Sequence, residues 1–160
     1  MPPFTVRPTT PADRPWIAAF LKEAWAGPAV VTRGRVYKAD ELPGFVAEWD
    51  GDPVGLATYR IEANQCEIIT FNSMEEGQGI GTALLAAVKD TARAAGCRRL
   101  RLITTNDNTA ALRFYQKRGL RLAALYRDAL EESRKLKPGI PLIGNDGIPL
   151  RDEIELEMVL

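Results

Sequence analysis

The chain has 160 residues, 46% of them apolar and 26% charged, enough for one domain that buries most of its apolar surface on folding. Lys plus Arg and Asp plus Glu number 21 each, so at zero net charge no global field recruits nucleic acid or an anionic membrane. There is no histidine, which excludes Ser-His-Asp and Cys-His mechanisms and leaves acid–base work to a carboxylate, a tyrosine, a cysteine, a lysine or water.

Residues 1–5 lack the basic start and apolar core of a secretory signal, and no apolar run approaches the ~20 residues that span a bilayer, so the expected location is cytoplasmic. Cys66 and Cys97 are too few for a disulfide framework and have no metal-binding neighbours in sequence; they read as buried free thiols, with no metal expected. In chain order, residues 4–7 form a short strand, and Thr10-Pro11-Ala12-Asp13 starts a helix with a capping threonine, a proline at the first helical position and an acid in the first turn. Trp16, Ile17, Phe20, Leu21 and Ala24 then make one apolar face that belongs to the core. Residues 27–43 have weaker periodicity and read as a loop with a short helix.

Strands over 44–49 and 54–61, joined by Asp50-Gly51, lead through Asn64-Gln65 into a third over 66–71, an antiparallel meander. The spacing of Ile80, Leu84, Leu85 and Val88 predicts a helix over 79–95, closed by Gly96, that crosses over to a parallel strand at 99–104. Asn108 caps the next helix, with Ala111, Leu112 and Tyr115 inward and Gly119 at its end. A strand over 120–127, a helix over 128–137 and a turn-rich stretch over 138–149 follow. The alternation of Glu153-Ile154-Glu155-Leu156-Glu157-Met158 predicts a last strand with one face buried and the other wet. The whole, residues 1–160, is a single domain of the α/β (α+β) class, a mixed sheet with helices on both faces.

The informative stretch is Glu76-Gly77-Gln78-Gly79-Ile80-Gly81-Thr82, small residues at the mouth of a helix that follows an apolar strand. Glycines at 77, 79 and 81 remove side chains that would keep a polyanion from the backbone, and the first turn of a helix offers unpaired N–H groups at a positive dipole end. A diphosphate ligand is the first inference, although such a start alone also serves as a tight strand-to-helix connection. The dinucleotide fingerprint fails because Thr82 stands at its third glycine, and the triphosphate loop lacks its Gly-Lys-Ser/Thr. What remains is Gln/Arg-x-x-Gly-x-Gly/Ala with a second block, Asn108-Thr109-Ala110-Ala111-Leu112-Arg113-Phe114-Tyr115, closed by Tyr115-Gln116-Lys117-Arg118-Gly119-Leu120.

With these two blocks the chain resembles the GNAT acyl-CoA-dependent N-acetyltransferases, most strongly over 67–122. The resemblance implies a mostly antiparallel sheet containing a splayed parallel strand pair, and acetyl-CoA as co-substrate. It assigns the diphosphate to the backbone at Gln78, Gly79, Ile80, Gly81 and Thr82, and the pantetheine arm to the strand edge at Ile69, Thr70 and Phe71. Glu76 departs from the pattern: a carboxylate there must turn outward, with Gln78 supplying the polar contact. Tyr115 matches the family's proton donor to the leaving thiolate, a role to be set beside simple packing with its hydroxyl outside. Asn108 caps its helix and contacts the arm, and Lys117 and Arg118 are partners for the ribose phosphate.

The base that takes a proton from the amine is sought among Glu67, Glu48, Glu155 and Glu157, each of which also reads as a solvated carboxylate; Glu67 leads because it lies on the strand carrying the thioester. The acceptor is a primary amine of a small molecule or a protein terminus. Arg33 and Tyr37, with Arg35, are candidates to hold its carboxylate or phosphate, and Arg134, Lys135 and Lys137 form a second basic cluster; the plainer reading of both is a solvated face. The long connection 128–152 carries its own apolar residues and is open to three uses: a wall of the acceptor site, a cover for core, or a homodimer contact. The alternative to an enzyme is a non-catalytic acyl-CoA sensor or partner-recognition module that keeps the cleft.

Overall fold

The computed structural model describes residues 4–25, 29–74 and 77–160. Its main sheet has the order β1-β4-β5-β6-β7-β9-β8, built from β1 (Phe4–Pro8), β4 (Gly44–Trp49), β5 (Asp52–Glu62), β6 (Gln65–Ser73), β7 (Arg99–Thr105), β8 (Arg121–Tyr126) and β9 (Glu153–Val159). Neighbouring strands run antiparallel except β6 and β7. Two tight turns make the meander: Asp50 and Gly51 both hold positive φ, as do Ala63 and Asn64, the backbone that matches strand twist.

Helices cover both faces. α2 (Ile80–Ala94) and α3 (Thr109–Lys117) seal one core, in which Ile80, Leu84, Leu85, Val88 and Tyr115 pack on Cys66, Ile68, Leu100, Leu102 and Leu156. Opposite it, α1 (Arg14–Trp25) buries Ile17 and Leu21 against Leu56 and Ile69, with Trp16 and Phe20 partly covered; Ala24, expected on this stripe, is exposed. The hydrophobic face of α2 is the predicted one, and both cysteines are buried and free. No helix among the described residues is long and apolar enough to cross a membrane.

Residues 29–38 differ from expectation. Where a loop was predicted, β2 (Ala29–Thr32) and β3 (Arg35–Lys38) form a hairpin, because Arg33 and Gly34 both adopt positive φ and reverse the chain in two residues. Val30 and Tyr37 bury its inner side in the α1 core. The start of α1 also differs in mechanism. A 3₁₀ turn (Pro11–Asp13) precedes it, with Thr10 at its N-cap in a capping box whose short bond is the reciprocal one: the Thr10 backbone N–H donates to the Asp13 carboxylate at 2.7 Å.

Asp13 is 5% exposed and also accepts from both Arg7 guanidinium NH₂ groups at 2.9 Å and from Trp16 Nε1 at 2.9 Å, tying β1 to α1. The Arg7 hydrogen bonds hold its carboxyl well below the usual carboxylate range, outweighing burial. Its stabilisation is therefore full above the ordinary carboxylate pKa near 4 and is lost as pH falls toward the depressed folded value. Asp13→Asn is expected to cost about 3 kcal/mol at pH 7, read by urea denaturation, and to flatten the loss of stability on acidification between about pH 4 and 2.

Candidate active site

Pairing of β6 with β7 runs from Gln65↔Arg99 to Ile68↔Leu102 and stops, although both strands continue. Beyond it the strands part, and the opening is framed by the start of α2 and by α3. A bulge against β5 sits at the same level: Thr58 pairs with Thr70 and Tyr59 with Ile68, leaving Ile69 extra. The bulge turns Ile69 to the α1 side while Ile68 stays with α2, and it sets Thr70 against Thr58, their hydroxyls 2.6 Å apart.

A cleft of about 640 Å³ occupies the α2 side of this opening. Gly77 and Gly79 hold φ of 77° and 79° with open space where a Cβ would project, so backbone lines the cleft at those points. Gly79 is the cap of α2, and its carbonyl accepts the first helical N–H, from Ala83 at 3.0 Å; the N–H groups of Ile80, Gly81 and Thr82 point out of the helix end. Gly81 has a different purpose from the one expected. A Cβ there would lie 3.0 Å from the Phe114 ring and 3.6 Å from Phe71, so this glycine lets α3 close on α2 rather than clearing space for an anion.

Of the residues expected to hold the cofactor, Ile69, Phe71, Gly79, Ile80, Gly81, Thr82, Asn108 and Tyr115 line this cleft. Three are elsewhere. Thr70 is buried in its pair with Thr58, Gln78 projects into solvent between the two open glycines, and Lys117 is exposed on the outer side of α3. Among the described residues the cation that lines the cleft is Arg118, whose Nε donates to Thr82 Oγ1 at 2.9 Å and whose guanidinium lies 3.7 Å over Phe114. Glu76, the departure from the family pattern, lies outside the described residues. Asn108 caps α3 as predicted, its Oδ1 accepting from Ala111 N at 3.3 Å. Tyr115 is 6% exposed, edge-on to Phe71 and Phe114, and burial pushes its phenol well above the usual range, so it stays protonated.

A second cleft, of about 590 Å³, lies on the α1 side and shares Ile68, Ile69, Asn72, Ile103, Thr104 and Asn108 with the first, so the two meet where the strands part. The end of α1 and β2 form one wall. The other is the 128–152 connection, which begins with α4 (Ala129–Leu136) and returns through Ile140, Pro141, Asn145 and Leu150. This connection is ordered by specific ties. Arg134 donates to the carbonyls of Ile140, Pro141 and Leu150, Lys137 Nζ to Ala29 O at 2.7 Å, and Asn106 bridges Pro149, Arg151 and Asp152. The basic cluster is thus mostly spent on backbone carbonyls, while Lys135 pairs with Glu132 at the surface.

Glu67 lines the second cleft at 6% exposure. Burial pushes its pKa up against the pull of Arg101, 3.2 Å away, and of Arg60. The remaining base candidates are committed elsewhere: Glu48 to Arg7, Glu157 to Arg99, and Glu155 to Tyr126 at 2.8 Å, Arg99 and Arg101. Burial draws Glu155 upward, yet the Tyr126 and Arg99 hydrogen bonds outweigh it and hold its pKa below the ordinary value. The expectation that the glutamate face of β9 is wet is corrected here, since Glu153 and Glu155 are 2% and 7% exposed, neutralised by arginines and Tyr126 under the hairpin and the connection.

Arg33 and Tyr37 are not among the residues lining either cleft at the splay. The Arg33 guanidinium lies 3.4 Å from the Tyr126 ring centroid and 3.6 Å from Glu153, and Tyr37 is a core residue with Arg35 and Arg60 over its ring. Arg33, Arg35 and the Tyr37 ring therefore have internal partners in place of an acceptor.

A family model described as the acetyltransferase (GNAT) family matches residues 9–120. Two Bacillus subtilis (strain 168) proteins, the uncharacterized proteins YdhI and YxbD, are 45% identical over 142 residues and 44% identical over 150; the alignments cover 88% and 93% of this chain, and 89% and 94% of theirs. Among solved structures, an IAA acetyltransferase from Bacillus cereus ATCC 14579 superposes with a TM-score of 0.76 at 24% identity, covering 98% of this chain and 99% of that one. A GNAT family acetyltransferase from Elizabethkingia anophelis with acetyl-CoA bound superposes with a TM-score of 0.71 at 22% identity, covering 100% of both chains. The chain shares its fold with these structures.

Proposed function

The chain belongs to the acetyltransferase (GNAT) family, and from that premise we propose that it transfers an acetyl group from acetyl-CoA to a primary amine by direct attack of the amine on the thioester. The observation that carries this reading is the meeting of two clefts at the parted strands, one walled by open backbone at Gly77 and Gly79 and the other by a buried carboxylate. The open glycines fit a diphosphate, because a Cβ at either position would project into the space it needs.

Acetyl-CoA supplies the acyl group and a thiolate leaving group. The protein's part is to hold and to move protons. The N–H groups of Ile80, Gly81 and Thr82, together with Arg118, face the diphosphate, and the β6 edge at Ile69 to Phe71 pairs with the amides of the arm as an added strand does. An alkylammonium with an unperturbed pKa near 10.4 needs roughly 4.6 kcal/mol to lose its proton at pH 7. Glu67, with its raised pKa, accepts that proton, directly or through water. Tyr115, kept neutral by burial, donates to the departing sulfur.

The test is thiol release with acetyl-CoA and a panel of primary amines, alongside thermal melting. Saturation at ~100 times the dissociation constant should stabilise the fold by about 2.7 kcal/mol. A melting shift without thiol release would favour an acyl-CoA sensor; no shift would remove the cofactor altogether. Because a thiolate of pKa ~8.5 needs little help to leave, Tyr115→Phe is expected to slow turnover only about tenfold, most at low pH. An unchanged rate across pH would return Tyr115 to a packing role.

A further inference from the structure

The second cleft is acidic at both ends. Besides Glu67 it is lined by Glu23, Asp107 and Glu153, and the last two are 5% and 2% exposed. Lys137 is the lining cation among the described residues; its amine is turned onto Ala29 O, and burial lowers its pKa. The guanidiniums that offset Glu67 and Glu153, from Arg101 and Arg33, are not in the lining, so the cleft itself presents carboxylates.

Thr32 supplies an independent observation. It is 8% exposed and lines the same cleft, and its Oγ1 has no hydrogen-bond partner among the described residues. A buried hydroxyl without a partner is costly, and its lone pairs are free to accept. Its chain neighbour Arg33 donates its backbone N–H to Glu153 at 3.2 Å, and Glu153 is the register partner of Thr105, whose hydroxyl donates to Asp107 at 2.5 Å. Thr32, Glu153 and Asp107 therefore form one end of the cleft. Glu67 is at the other: its register partner on β7 is Arg101, four residues before Thr105, roughly 13 Å along the strand. Val30, Ile140 and Leu150 wall the space with aliphatic surface.

Taking the transferase reading as its basis, the geometry points to a linear diamine or polyamine as the acceptor. One nitrogen reacts beside Glu67, the alkyl chain lies along the aliphatic walls, and a second ammonium donates to Thr32 Oγ1 and the Glu153–Asp107 end. This reverses the expectation of an acceptor held by a carboxylate or phosphate.

Thiol release at saturating acetyl-CoA and fixed ionic strength, measured with spermidine, 1,4-diaminobutane, n-butylamine and β-alanine, tests it. The kcat/KM for the better of the first two is expected to exceed that for n-butylamine roughly tenfold, the size of one partly desolvated charge pair. Thr32→Val, which keeps the volume, should narrow that ratio; Glu153→Gln should narrow it further if it folds. Equal values for diamine and monoamine, or a preference for β-alanine, overturn the inference and leave the transferase reading standing. If no amine releases thiol, the transferase reading fails, and melting of the CoA-loaded protein decides the binding claim: spermidine must raise the melting temperature where n-butylamine does not, and equal shifts overturn it.

Discussion

Replacing Glu67 by glutamine is expected to lower kcat/KM for an amine acceptor about 10²- to 10³-fold, within the range of a lost general base. Glutamine keeps the side-chain volume and an acceptor for Arg101 Nη1, 3.2 Å away, so the melting temperature should hardly change. The sign of the pH effect follows from burial. A base works ionised, and desolvation raises the pKa of Glu67 above the ordinary value, so wild-type activity falls as pH drops through that raised value, nearer neutrality than a solvated glutamate allows. The acid limb should vanish in Glu67→Gln, leaving the dependence set by the amine itself. A variant that retains both rate and limb would hand the role to water or another carboxylate.

Gly55→Val is expected to destabilise the fold by about 3 kcal/mol and to weaken acetyl-CoA binding at a distance. Gly55 is buried on β5 beneath the first turn of α2, where an added Cβ would lie 2.7 Å from Ile80 Cγ2 and 2.9 Å from Leu84 Cδ1, with Asn72 O at 3.2 Å. Leu84 is fully buried and cannot swing aside, so the branch of a valine must push the start of α2 away from the sheet. Ile80 is the first residue of that helix, and the N–H groups proposed to meet the diphosphate move with it. Melting should fall by roughly 6–12 °C for a chain of this size. Gly139→Ala, at a position with open space and ordinary φ, is the control and should leave both readouts alone. Wild-type acetyl-CoA affinity in Gly55→Val would mean that α2 can shift without carrying the site.

Much of this was legible in the residues. Caps, turns and periodicity located β4 to the start of α3 within a few residues, because Asp50-Gly51, Gly79, Gly96 and Asn108 each impose a local backbone that tertiary contacts do not override. The hairpin at 29–38 was not, since its turn is Arg33-Gly34 rather than a common hairpin pair and its strands are only four residues long. Composition offers Lys117 and Arg118 alike for the ribose phosphate, and spacing separates them: Arg118 is four residues past Phe114, which brings its guanidinium over the ring on the cleft side. The glutamates of β9 alternate correctly, but alternation cannot reveal that distant segments cover the polar face and that Tyr126, Arg33, Arg99 and Arg101 neutralise it. The acceptor cleft was least legible for the same reason, being assembled from α1, β2, β6, β7 and the 128–152 connection, elements that meet only in the fold.

The early end of the β6–β7 ladder gives the sheet an edge in its own interior. From Ile69 to Phe71 the β7-facing backbone has no strand opposite it, a seam in an otherwise continuous fabric. Deuterium should enter those amides far sooner than their β5-bonded neighbours, and a guest one strand wide should close the seam and slow that entry. What stitches it shut must pair as a strand does, so it must be extended and rich in amides.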